Sequence, residues 1–121
     1  MTNWIFWGAL ISALSVVAGA FGAHALAEKL DPKALALWET ASRYAMYGGI
    51  ALVQVGLYAR SGGKLAGAGY CLLIGTAIFS GTVFALALGG PRILGAITPI
   101  GGSLMIVGLA LFAWAALRTA T

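Results

Sequence analysis

The chain has 121 residues, 61% of them hydrophobic and 8% charged, whereas soluble domains run near half apolar and about a quarter charged. A water-soluble fold of this composition would lack the polar groups to cover itself; a bilayer removes that need, because helices satisfy their own backbone hydrogen bonds. The net charge of +4 is scattered singly or in pairs with no basic stripe, which argues against nucleic acid as a partner, and the lone Cys71 excludes an intramolecular disulfide and a cysteine-based metal site.

A hydrocarbon core about 30 Å thick takes about 20 apolar residues in a helix. Four stretches meet or approach that length, which predicts an all-α integral membrane bundle of four transmembrane helices in one domain. The first runs from Trp4 to Ala27. Its small-residue triplets Ala18-Gly19-Ala20 and Ala23-His24-Ala25 resemble cleavage sites, but Met1-Thr2-Asn3 carries no basic residue and the apolar run exceeds the roughly 7 to 15 residues of a signal h-region. It is therefore expected to be a membrane span. The polar turn from Glu28 to Lys33 ends it, with Asp31 suited to capping the next helix and Pro32 to its first position.

The second span is expected from Lys33 to Ala59, followed by the turn Arg60-Ser61-Gly62-Gly63-Lys64 and a third, uncharged span from Leu65 to Leu88. Gly89-Gly90-Pro91-Arg92 closes the third. The fourth, Ile93 to Leu117, contains Pro99 and Gly101-Gly102, which leaves two readings. A kinked helix is preferred; in the alternative, Thr98 caps a helix beginning at Pro99 and Pro91 to Ile97 forms a short interfacial or re-entrant piece.

Basic residues are divided almost evenly between the two ends of such a bundle: Arg60, Lys64 and Arg118 on one side, Lys29, Lys33 and Arg92 on the other. Orientation is left open, with Arg43 tipping the balance toward the first turn being cytoplasmic, and insertion in both orientations is permitted. A fixed offset also matches Gly8 with Gly67, Gly22 with Gly81, Pro32 with Pro91 and Gly49 with Gly108, the pattern two repeated helical hairpins would leave.

Small residues recur at helical spacing: Ser12, Ser15, Gly19 and Gly22 in the first span, Ala41, Ala45 and Gly49 in the second, Gly67, Cys71 and Gly75 in the third. Such stripes let membrane helices approach closely. The second span differs, because Glu39, Thr40, Arg43, Tyr47, Gln54 and Tyr58 fall within one arc of about 100°. A continuous polar stripe should face protein or a water-filled cleft. Glu39 precedes Arg43 by one turn, the favourable order for an intrahelical ion pair, and that pairing is the expected arrangement. Hairpin connectivity gathers His24, Glu39, Arg43, Arg92 and Thr98 at one end of the bundle, the place expected to meet a headgroup, a small solute or a partner. Tyr47 and Gln54 continue that candidate site along the second span.

Catalysis has little support. Ser80 lacks a nucleophile-elbow setting, one His and one Cys do not make a metal cluster, and no phosphate loop follows a strand. No cofactor is expected.

Several segments in order, Gly19-Ala20-Phe21-Gly22-Ala23-His24, Trp38-Glu39-Thr40-Ala41 with Arg43-Tyr44 and Met46-Tyr47, Phe79-Ser80-Gly81-Thr82, and Ile97-Thr98-Pro99-Ile100-Gly101-Gly102, resemble the domain of unknown function 423 family of small four-helix membrane proteins. The likeness covers nearly the whole chain. It implies a multi-pass plasma-membrane protein and brings no activity, substrate or cofactor. Where the family usually has Gln and His, this chain has Ala45 and Gly48, so a mechanism using a pair of histidines is not expected. The leading expectation is a non-catalytic protein that interacts with membrane lipid, with itself as a homo-oligomer, or with a larger membrane protein. The alternative is a small oligomeric transporter or channel lined by the polar stripe.

Overall fold

A computed structural model of the protein describes residues 3–60, 62 and 65–119, residue 119 by its backbone alone. Met1 and Thr2, and Ser61, Gly63 and Lys64 of the expected second turn, lie outside the described residues. Four helices follow in order: α1 (Trp4–Phe21), continued by a π-helical turn (Gly22–Leu26), α2 (Pro32–Arg60), α3 (Ala66–Ala87) and α4 (Leu94–Thr119). Among the described residues there are no strands. The segments Trp4–Leu26, Ala66–Ala87 and Leu94–Arg118 are each long and apolar enough to cross a membrane.

Local chemistry sets the boundaries. Asn3 accepts from the Phe6 amide at 3.0 Å to begin α1, and Asp31 accepts from Ala34 at 2.7 Å to begin α2, with Pro32 at the first helical position. Gly89, at φ +92°, ends α3: its N–H bonds to the Leu86 carbonyl and that of Gly90 to Ala85, the paired bonds of a Schellman cap. The start of α4 is tightly wound, with Leu94, Gly95 and Ala96 bonding back three residues to Pro91, Arg92 and Ile93. Pro99 lies inside α4, which runs unbroken from Leu94, so no helix starts at Pro99 and Thr98 is a residue of the second turn of α4, not a cap. Pro99 is the sixth residue of α4, so its missing N–H removes the bond that a residue there would make to the Gly95 carbonyl.

Neighbours in sequence are neighbours in space and run antiparallel. Gly8 meets Gly49 and Val53, Ile5 meets Gly56, and Trp38 reaches Ala18 across α1 and α2. Gly48 meets Thr76 and Ala41 meets Ser80 across α2 and α3, and Gly75 meets Gly101 across α3 and α4. A Cβ at Gly8, Gly49, Gly75 or Gly101 would run into backbone of the facing helix, so glycine is what permits these crossings. α1 and α4 have no Cα atoms within 8 Å of each other. The helices thus form an open row, with α2 and α3 inside and α1 and α4 outside. Glycine-to-backbone contact binds the α1–α2 and α3–α4 hairpins, the Thr76 side chain against Gly48 and the Ser80 hydroxyl on Ala41 join α2 to α3, and no such seam joins the two outer helices.

The row is held differently at its two ends. Near the start of α1, Trp4, Leu52, Val55, Leu65, Ala68 and Leu72 make an apolar core, with Leu52 and Leu72 wholly buried. Trp4 crosses beneath α2 to pack on Gly69 and edge-on against Tyr70. The opposite end relies on polar ties. Trp38 Nε1 donates to the Ala18 carbonyl at 2.7 Å, Ser80 Oγ donates to the Ala41 carbonyl at 2.9 Å, and the Thr82 and Thr98 hydroxyls lie 2.7 Å apart. The Ala18 carbonyl accepts both the Trp38 indole and the Gly22 N–H, just where α1 passes into the π turn.

The offset between the halves is only partly carried by packing. Gly49 and Gly108 both sit in close helix contacts, whereas Gly8 and Gly22 are packed and their counterparts Gly67 and Gly81 border open space or a single leucine.

Candidate functional site: the outward face of α2

α2 divides cleanly by burial. Ala41, Ser42, Ala45, Gly48, Gly49, Leu52, Val55 and Gly56 are buried against α1 and α3, while Glu39, Arg43, Tyr47, Ile50, Gln54 and Leu57 are exposed along the opposite arc. Of the remaining expected stripe residues, Thr40 is half-buried, and Tyr58 turns inward to donate to the Ala115 carbonyl at 3.2 Å. Tyr44 and Tyr47 meet edge-on at 5.2 Å, and Tyr44 also lies on Phe79, which fixes the flank of the stripe.

The depth of the stripe follows from its neighbours. Trp38 contacts Ala18 of α1 and Phe84 of α3, so Glu39 stands a turn or more inside the ends of both apolar spans. Arg43 lies about 6 Å deeper and Gln54 about 22 Å from Glu39, at 1.5 Å per residue. Among the described residues no ion pair within 4 Å is made by Glu39 or Arg43, so the expected intrahelical pair is not formed. The other helices face outward with Leu14, Val17, Ile74, Ile106 and Leu109, which suit acyl chains.

The remaining candidate residues are dispersed. Thr98 sits in the α3–α4 joint, bonded to Thr82 and to the Leu94 carbonyl. Thr82 also reaches the Ile78 carbonyl, so Thr82 and Thr98 together have two hydroxyl protons for more than two contacts and share them. Arg92 lines a groove between the two loops together with Lys29, Lys33, Leu30, Leu37 and Leu86. The spacing of basic residues placed these cations on one side, but their convergence depends on the loops meeting. His24 is exposed on the π turn. Among the described residues, no three His, Cys, Asp or Glu side chains gather where a metal could bind.

Most expected packing residues are packing residues. Ser12 and Gly49 touch, Ser15, Ala41 and Ala45 are buried, and Gly22 takes the Trp38 ring. A Cβ at Gly19 would instead meet nothing within 4 Å, and Gly67 and Cys71 are not buried. Gly48 is the tightest point: the Thr76 side chain fills the space a Cβ would need, and the hydroxyl of Thr76, a residue only 2% exposed, has no hydrogen-bond partner among the described residues.

An all-helical chain of glycine-sealed apolar spans with one polar outward face is a small integral membrane protein. It belongs to the family described as protein of unknown function (DUF423), whose model matches residues 18–102. A UPF0382 membrane protein of Staphylococcus epidermidis is 44% identical over 121 residues, covering 99% of both chains. One from Staphylococcus haemolyticus is 46% identical over 109 residues, 89% of each, and the UPF0382 membrane protein YwdK of Bacillus subtilis is 38% identical over 121 residues, 98% of each. No solved structure matches the chain.

Proposed function

We propose that the protein is a non-catalytic, multi-pass protein of the plasma membrane with four transmembrane helices, and that it works by association within the bilayer. α2 counts as the fourth span because it packs antiparallel between α1 and α3 along its length and, at 29 residues, extends about 43 Å. Its outward stripe is what lowers its hydropathy.

The observation that carries the reading is the exposure of Glu39, Arg43, Tyr47 and Gln54 at the depth of the apolar spans. A lone Arg near a helix centre costs about 2.5 to 3.5 kcal/mol on insertion scales, and intramembrane charges almost always face protein or water. A partner on this face removes that cost. The groove of Lys29, Lys33 and Arg92 beside Leu30 and Leu37 suits the phosphate and upper chain of an anionic lipid, a second association at the membrane surface.

The test is purification of the tagged protein from its native membrane in mild detergent or nanodiscs, with mass spectrometry of everything retained. A stoichiometric protein partner, another copy included, together with retained anionic lipid supports the reading. A protein recovered alone, as a monomer without specific lipid, overturns it. The length of the stripe favours one other reading, an oligomeric transporter or channel with the stripe lining a path; solute flux in liposomes holding the protein alone would establish it.

A further inference from the structure

We propose that the partner of the α2 face is a second copy of this chain, lying parallel to the first about a two-fold axis along the membrane normal. This rests on the reading of α2 as an association surface and adds what occupies it. The face is ordered on a seven-residue repeat: Ala36, Arg43, Ile50 and Leu57, all exposed, form its centre line. Glu39 flanks that line on one side and Tyr47 and Gln54 on the other. Seven-residue spacing is what two helices share when they pack along their length at a shallow crossing angle.

Charge selects the partner and its direction. Glu39 and Arg43 stand one turn apart, and each is without an ion pair among the described residues. A parallel copy sets the carboxylate of Glu39 beside the guanidinium of the partner's Arg43 and repeats the pairing on the other side of the axis, which closes two acids and two bases into one neutral cluster. An antiparallel copy sets Glu39 level with Gln54 and Tyr58 and leaves both charges unmatched. An unrelated partner would need unlike charges at the same two depths, which a second copy already carries. Deeper in, Gln54 adds an amide donor and acceptor to the same face.

The test uses the full chain in membranes, with Cys71→Ser to remove the native thiol. Ile50→Cys on the centre line is expected to cross-link to itself under oxidation, while Ile106→Cys on the outer face of α4 is not. On the Ile50→Cys background, Glu39→Arg or Arg43→Glu alone is expected to lower the cross-linked dimer about tenfold, and the double exchange to restore it. Thermal melts identify any variant that has unfolded; recovery in the double exchange cannot arise from unfolding. The proposal is overturned by single reversals without effect, or by cross-linking at Ile106→Cys in place of Ile50→Cys. An Ile50→Cys chain joined to a different polypeptide overturns the second copy but keeps α2 as an association surface, whereas no adduct of any kind overturns both.

Discussion

The Ser80 hydroxyl of α3 donates to the carbonyl of Ala41 in α2 across 2.9 Å, inside a seam where Ser80 is 5% and Ala41 0% exposed. That bond closes the two inner helices at the end of the row that lacks a large apolar core. Ser80→Ala is expected to destabilise the protein by about 1 kcal/mol, the scale of interhelical hydrogen bonds in membranes. Ser103→Ala, on an exposed position of α4, should change little. Equilibrium unfolding in mixed micelles checks both.

Gly48 and Gly19 are both helical glycines, yet only Gly48 faces a filled space. Gly48→Ala pushes a methyl into Thr76 and is expected to cost about 1 to 3 kcal/mol, the range of overpacking in a close-packed core. Gly19→Ala meets nothing within 4 Å and should leave stability unchanged or raise it by up to about 1 kcal/mol. Parallel melts should show Gly48→Ala lowered and Gly19→Ala unchanged or raised.

Trp38→Phe keeps a ring near Gly22 but removes the N–H bonded to Ala18. We expect a loss of about 1 kcal/mol and a shift of the π turn at Gly22–Leu26 toward regular α geometry. Altered amide exchange confined to those residues and the end of α1 would be the signature.

Glu39→Gln is expected to leave the melting of the isolated protomer in detergent unchanged, within about 0.5 kcal/mol, because Glu39 is exposed and forms no ion pair among the described residues. The same change in the membrane should weaken association. Equal stability in detergent with reduced assembly in the bilayer separates the two effects.

Much of the helical content is written in local chemistry. The apolar runs define α1, α3 and α4 by length alone, and Asp31-Pro32 marks the start of α2 by its capping pattern. The polar arc of α2 follows from the helical repeat, so Glu39, Arg43, Tyr47 and Gln54 share a face in any helix built from this segment. The Glu39–Arg43 pair was not legible in the same way, because four-residue spacing makes a contact available and does not decide which rotamers the long side chains take. Gly19 and Gly22 show the same limit. They share a small-residue stripe, but Trp38 packs on Gly22 while the space a Cβ on Gly19 would take is empty, which depends on where a residue of another helix arrives.

By itself the sequence determined that the chain is helical and membrane-embedded, which residues can share a face, and that one face is polar. Those properties depend on composition and on the fixed geometry of a single helix. Only the tertiary structure decided that the helices lie in an open row, that the polar face points outward, and that Lys29, Lys33 and Arg92 converge while Thr98 is drawn into the α3–α4 joint. The physical reason is that these relations rest on how closely backbones approach at glycines such as Gly8, Gly49, Gly75 and Gly101. That approach is a property of two helices together and has no periodic signature in either one.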